Sequence, residues 1–272
     1  MSDFLEQVIA ERRAYVGEAR ARRPLDTAPI AGSYIAGVGD RFTSSLLRRK
    51  RTGWMSVIAE VKRVSPASGA LASKTLDAVE QARRYVRGGA TAISVLTEPR
   101  HWGGSLDDLA RIHDALPEIP LLCKDVIVDE YQVVEAKHAG ADAVLLIGEA
   151  LSDEELRAFW TRANALSLGV LAEAHEKRAF ERIAALGFLT VGVNARDLRE
   201  PSRIDPRRIH ELHALTEERQ VLIAESGIAS VDDARMLPAR VDAVLVGTAL
   251  MRADDPGPLI RGIASIKRTV SV

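Results

Sequence analysis

Glu60 and Lys62 stand two residues apart at the end of a short apolar run, and Lys124, Glu173, Asn194 and Glu225 close other runs of the same kind. A spacing of two puts Glu60 and Lys62 on one side of an extended strand. A carboxylate and an ammonium so placed make either a structural ion pair or an acid–base pair tuned by burial and by each other. Lys124 and Glu173 on further strands favour the second reading. Two lysines with up to three glutamates have a net charge near zero but steep local fields, which suits proton transfer on an anionic substrate. Thr97, Glu98, Asp125, His175, Arg196, Asp197, Ser226 and Thr248 follow runs in the same way, whereas the run 143–147 is followed by Gly148 and offers no catalyst.

Two further segments point to an anion. Residues 225–228 read Glu-Ser-Gly-Ile and residues 247–251 read Gly-Thr-Ala-Leu-Met. Gly227 and Gly247 permit close backbone approach, and a helix N-terminus offers free N–H groups. Phosphate is the expected occupant of these two loops.

The elements that must position these groups follow a rhythm. Apolar, β-branched runs occur at 56–60, 92–96, 120–124, 143–147, 169–173, 189–193, 221–225 and 243–247. Amphipathic helices are expected between them, for example at 75–87, 132–139, 176–186 and 231–237. Near-continuous apolar strands separated by helices imply a parallel sheet covered by helices. Eight such units are the count of an α/β (β/α)8 TIM barrel, whose reactive groups gather at the C-terminal strand ends. A doubly wound open sheet would instead show a glycine-rich turn after the first strand, and Glu60-Val-Lys-Arg is nothing of the kind.

Ahead of the barrel, residues 4–23 read as an amphipathic helix ended by Pro24, residues 24–40 as a loop and residues 42–50 as a short basic helix. This segment is either a solvated basic arm or a docked cap. The expected organisation is an N-terminal helical extension, 1–50, capping the mouth of a barrel, 51–272, together a single domain.

Composition narrows the function classes. Among 272 residues, 37 Lys+Arg balance 38 Asp+Glu, so a general nucleic-acid binder is not expected. Hydrophobic residues are 47%, enough for a sizeable core. Cys123 is the single cysteine, which excludes an intramolecular disulfide and a thiolate zinc cage and fits a reducing cytoplasm. The chain starts Met-Ser-Asp-Phe without a basic stretch and apolar run, so no secretory leader is expected, and no apolar stretch is long enough for a membrane span. The six histidines lack metal-ligand spacing, and neither a Gly-x-Ser-x-Gly turn nor an HExxH motif occurs. Catalysis without metal or cofactor is the expectation. Cys123, inside an apolar run, reads as packing.

Taken together the motifs resemble indole-3-glycerol-phosphate synthases. The segment 58–66, Ile-Ala-Glu-Val-Lys-Arg-Val-Ser-Pro, resembles that family's first-strand signature. So do 94–98 with 102–105 (Ser-Val-Leu-Thr-Glu and Trp-Gly-Gly-Ser), Lys124-Asp125 with 129–132, and 173–175. The blocks 193–198, 224–228 and 246–251 continue the likeness in order, from about residue 42 to 256, and the N-terminal helix resembles the family's cap.

The resemblance implies a decarboxylating ring closure in tryptophan biosynthesis. The substrate is 1-(2-carboxyphenylamino)-1-deoxyribulose 5-phosphate, the product is indole-3-glycerol phosphate, CO2 and water are lost, and no cofactor is used. By the family pattern, Lys124 is the general acid at the substrate carbonyl, and Lys62 holds the anthranilate carboxylate with its charge also near the phosphate. Glu173 is an acid/base of the condensation and dehydration, and Glu60 tunes the lysines. Asn194 and Ser226 position substrate, and Arg196 and Glu225 orient neighbouring charges. Ser65, Gly227, Gly247 and Thr248 surround the phosphate. The expected partner is the small phosphorylated substrate, with no nucleic acid and no membrane, together with association with other tryptophan-pathway enzymes in the cytoplasm.

Three positions depart from the family pattern. Val126 stands where many members carry Phe, Gly103 follows Trp102 where Asn or Gln is common, and the fifth run reads Leu-Ala-Glu-Ala-His. Trp102 and Val126 therefore become the expected determinants of the aryl pocket. Two other readings remain open on sequence: a phosphate-binding barrel of the phosphoribosylanthranilate isomerase type, and a paralogue retuned for a modified anthranilate.

Overall fold

The computed structural model describes residues 3–25, 40–72 and 75–268. Most of the expected 24–40 loop lies outside the described residues. Eight strands close a parallel barrel: β1 (Ser56–Val61), β2 (Ala92–Leu96), β3 (Leu121–Lys124), β4 (Ala143–Ile147), β5 (Gly169–Ala174), β6 (Thr190–Asn194), β7 (Val221–Glu225) and β8 (Ala243–Val246). Each pairs with its sequence neighbour, and β1 pairs with β8 to complete the ring. After β1 the chain makes a small antiparallel hairpin, Val64–Ser65 against Gly69–Ala70.

Eleven α-helices are described: α1 (Phe4–Arg22), α2 (Arg41–Arg51), α3 (Ala78–Arg87), α4 (Leu106–Ala115), α5 (Glu130–His138), α6 (Asp153–Ala165), α7 (Lys177–Leu186), α8 (Arg207–Leu212), α9 (Val231–Arg235), α10 (Thr248–Arg252) and α11 (Gly257–Ala264). Their starts are set by caps that apolar periodicity alone does not reveal. The helix expected from residue 75 starts at Ala78, because Asp77 accepts from Val79 N–H at 3.0 Å. The helix expected from 132 starts at Glu130, because Asp129 accepts from Tyr131 N–H at 2.8 Å. None of the described helices is long and apolar enough to cross a membrane.

Strand alternation sorts the side chains into two layers. Val57, Ala59, Ile93, Val95, Cys123, Val144, Leu146 and their equivalents pack outward against the helices. Ile58, Ala92, Leu122, Leu145, Leu171, Ile223 and Leu245 fill the barrel interior. That inner cluster is sealed at both ends by the extension. Leu5 and Val8 of α1 join it at the mouth, beside Val126 and Ile147, whereas Phe42 and Leu46 of α2 join it at the opposite end. The cap over the mouth is therefore α1, and the basic helix α2 is a plug for the floor. Asp40, the N-cap of α2, fits there because β5 begins with Gly169, where a Cβ would stand 2.3 Å from the Asp40 carboxylate. Lys50 of α2 donates to the carbonyls of Glu218 and Gln220 at 2.6 and 2.7 Å.

Candidate active site

Alternation aims Glu60, Lys124, Glu173, Asn194 and Glu225 into the barrel, since Val61, Cys123, Ala172, Val193 and Ala224 beside them belong to the outer layer. All five line one cavity of about 540 Å³ at the C-terminal strand ends. Lys124 bridges two of the carboxylates. Its Nζ donates to Glu173 Oε2 at 2.6 Å and to Glu225 Oε2 at 3.0 Å. Asn194 Nδ2 donates to the other oxygen of Glu173 at 2.7 Å, and its own Oδ1 accepts from Arg196 N–H at 2.9 Å. Glu60 and Lys62 pair at 2.6 Å.

One ammonium between two buried carboxylates fixes the protonation states. Burial alone would lower the Lys124 ammonium, but Glu173, Glu225 and Glu60 outweigh it and hold it above its ordinary value. Burial, then the charge of Glu173, pushes the Glu225 carboxyl well above the usual carboxylate range. Glu173 meets the same burial, yet Lys124 and the hydrogen bonds it receives hold it below that range. The two carboxyls are thus driven apart in acidity, Glu173 down and Glu225 up, around one ammonium.

Two glycines make room for these charges. A Cβ on Gly247 would stand 2.3 Å from Glu60 Oε1 and 3.0 Å from Lys62 Nζ, and one on Gly192 would stand 2.1 Å from Glu225 Oε1. The cavity has two unlike ends. Ser226, Gly227, Gly247, Thr248 and Lys62 line the side formed by β7, β8 and β1. Ser226 holds φ +67°, a conformation a non-glycine residue rarely takes, and Gly227 follows at +76°. Across the barrel, Phe4, Leu5 and Val8 of α1 join Trp102, Val126, Ile147 and Leu198 in an apolar wall.

The family model for indole-3-glycerol phosphate synthase matches residues 5–263. The chain belongs to the indole-3-glycerol phosphate synthase family. It is 47% identical to the indole-3-glycerol phosphate synthase of Nocardioides sp. over 80% of this chain and 83% of that one. It is 41% identical to indole-3-glycerol phosphate synthase 2 of Streptomyces coelicolor over 97% and 99%. Among solved structures, tryptophan synthase subunit alpha from Legionella pneumophila matches with a TM-score of 0.60 at 14% identity, over 83% of this chain and 97% of that one, a likeness of fold alone.

Most of the residues that the sequence nominates for a synthase of this family come together at one cavity. Glu60, Lys62, Lys124, Glu173, Asn194, Ser226, Trp102, Val126, Arg196, Glu225, Gly227, Gly247 and Thr248 all line the cavity. Ser65 is the exception. It is buried in the hairpin opposite Gly69, and its neighbours Pro66 and Ser68 line the cavity instead. An isomerase-type cysteine acid is absent from the described cavity lining: Cys123 packs in the outer layer, where burial pushes its thiol up to about 12. His175 is buried between Glu149 at 3.1 Å and Asp197 at 3.2 Å.

Sequence reasoning missed Phe4, Leu5, Val8, Leu198 and Arg252 as lining residues. The helical spacing of Leu5 and Val8 gives a helix and an apolar face, but not the surface that face covers. It also missed the role of Arg12, which lies buried in the face Leu5, Val8, Arg12, Val16 and Ala19.

Proposed function

We infer that this chain catalyses the synthase reaction: 1-(2-carboxyphenylamino)-1-deoxyribulose 5-phosphate closes to indole-3-glycerol phosphate with loss of CO2 and water. The observation that carries the mechanism is the Lys124 ammonium, held at 2.6 and 3.0 Å by Glu173 and Glu225 on the lining of a cavity with one apolar and one glycine-lined end. In this reading the anthranilate ring lies against the α1 and Trp102 wall, and the phosphate lies at Ser226, Gly227, Gly247 and Thr248. The ketose carbonyl then falls near Lys124.

As the ring carbon bearing the carboxylate attacks that carbonyl, the oxygen takes a proton from Lys124 and becomes a hydroxyl. Loss of CO2 leaves the bonding pair to restore the aromatic ring. The hydroxyl then accepts a proton and departs as water, driven out by the lone pair of the ring nitrogen, and the methylene carbon beside that nitrogen gives up a proton, which leaves the indole with its N–H intact. Glu173 is suited to be the base, since it is held below the usual carboxylate range, and Glu225, held above that range, is the better placed of the two to return a proton to Lys124. Glu60 pairs with Lys62 at 2.6 Å beside Gly247, within the phosphate end. Fixed charges in a desolvated pocket favour these steps more than water does, because they need no reorganisation as charge moves.

The extension, 1–50, and the barrel, 51–272, work as one domain in this reading, because α1 supplies part of the cavity wall. A cytoplasmic location and association with neighbouring enzymes of tryptophan synthesis belong to the same proposal, and the single free cysteine fits a reducing compartment. The test is indole fluorescence on adding the synthetic substrate to the full chain. Appearance of indole-3-glycerol phosphate with release of CO2 is expected; a folded protein that forms neither contradicts the reading.

A further inference from the structure

Glu98 is a buried carboxylate on the cavity lining to which the chemistry above gives no task. Its residue is 2% exposed. Among the described residues its side chain bonds to none of the lysines. Instead Oε1 accepts from Arg100 N–H at 2.9 Å, and Oε2 accepts from His101 N–H at 2.6 Å and Trp102 N–H at 3.1 Å. The loop is drawn further around it by Gly104, whose N–H donates to the Glu98 carbonyl at 2.8 Å. Gly104 lies so close to β2 that a Cβ would stand 2.3 Å from the Leu96 carbonyl, and Gly103 turns at φ +63°.

What this loop presents is the apolar wall. Trp102 lines the cavity and meets Phe4 of α1 edge-on, with ring centroids 5.8 Å apart. His101 Nε2 contacts Glu11 of α1 at 2.6 Å, and its ring meets Phe4 at 5.1 Å. A carboxylate that gathers three backbone N–H groups holds them with charge-assisted bonds, roughly twice as strong as neutral ones. With both oxygens occupied, it is poorly placed to move a proton.

We propose that Glu98 is the positioning residue of the aryl subsite: it fixes Trp102, and through His101 the covering helix α1, and so sets the affinity for the anthranilate ring without taking part in the chemistry. This rests on the synthase reading. Replacing Glu98 by Gln keeps the shape but turns an amide NH2 toward backbone donors, so at least one of the three bonds is lost.

The experiment compares wild type and Glu98→Gln in steady-state turnover and in calorimetric binding of anthranilate and of inorganic phosphate. KM for the full substrate should rise about tenfold while kcat stays within about twofold. Anthranilate binding should weaken in parallel, and phosphate binding should not change. A merely structural role would weaken both fragments alike, and that result overturns the proposal. So does an unchanged KM, a fall in kcat at constant KM, or a wild type that does not bind anthranilate. A wild type that binds both fragments yet makes no product refutes the synthase reading, and the fragment split still judges Glu98. Should the variant fail to fold, amide exchange in the wild type decides: the Arg100, His101 and Trp102 amides must be protected, and unprotected rates overturn the assignment.

Discussion

Arg12 of α1 and Asp125 beside Lys124 form a buried ion pair, Nε to Oδ1 at 3.0 Å, with both side chains 5% exposed. Asp125 also accepts from Thr97 Oγ1 and Val126 N–H at 2.8 Å each. The covering helix is thus pinned to the strand end that carries Lys124. Arg12→Ala leaves an unpaired buried carboxylate, and breaking a buried pair from one side costs about 3–5 kcal/mol. Urea unfolding should show that loss, with a raised KM as α1 loosens. A change under about 1 kcal/mol, the range of a surface pair, would contradict the latch.

Glu225 makes stability depend on pH. Its carboxyl lies above its unfolded value, chiefly through burial and then Glu173. The folded chain therefore binds this proton more tightly than the unfolded chain. That contribution is full below the unfolded value near 4.3 and declines as pH rises toward the folded one, by up to about 1.4 kcal/mol per pH unit. Glu225→Gln lacks the decline. Thermal melts should show the variant gaining on wild type from about pH 5 upward. A difference that stays flat with pH contradicts the upward shift of the Glu225 carboxyl.

Gly247→Ala should damage the phosphate end and the Glu60–Lys62 pair together. Its Cβ would stand 2.3 Å from Glu60 Oε1, so the 2.6 Å ion pair must move. We expect KM to rise by about tenfold or more, with weaker competition by inorganic phosphate, because close backbone approach to the anion is also lost. Unchanged phosphate competition would place the anion elsewhere.

Val126 belongs to the apolar wall of the cavity, is 5% exposed and shares its cluster with Ile147 and Leu145. Trp102 is the large ring on that wall, so Trp102→Ala should weaken substrate binding by about 1–3 kcal/mol, more than Val126→Ala does. Val126→Phe should selectively lower kcat/KM for a ring-substituted substrate. Equal effects on substituted and unsubstituted substrates would mean that position 126 does not shape the ring site.

The placement of the strand-end charges was legible in the sequence because a period of two gives it away. In β3, Leu122 and Lys124 share one side and Leu121 and Cys123 the other, so an apolar run ending in a charge already states where the charge points. Arg12 was not legible. In an arginine-rich helix nothing local separates the one guanidinium that meets a buried aspartate 113 positions away from those in solvent. The same limit applies to α2, whose basic composition suggests a solvated arm while Phe42 and Leu46 close the barrel floor. Ser65 lies buried in the hairpin after β1 and is not among the residues lining the cavity; with two residues a side, that hairpin is too short to leave a pattern in the sequence.

The central claim is that Lys124, held charged by Glu173 and Glu225, delivers the proton that allows ring closure. The direct measurement is single-turnover formation of indole-3-glycerol phosphate by wild type and by Lys124→Gln, each shown by circular dichroism to be folded and saturated with substrate. The account predicts a fall of about 10²–10⁴ in the rate of the closing step, the usual worth of a positioned general acid. A Lys124→Gln rate within about twofold of wild type would contradict it, since no acid of that worth could then reside at position 124.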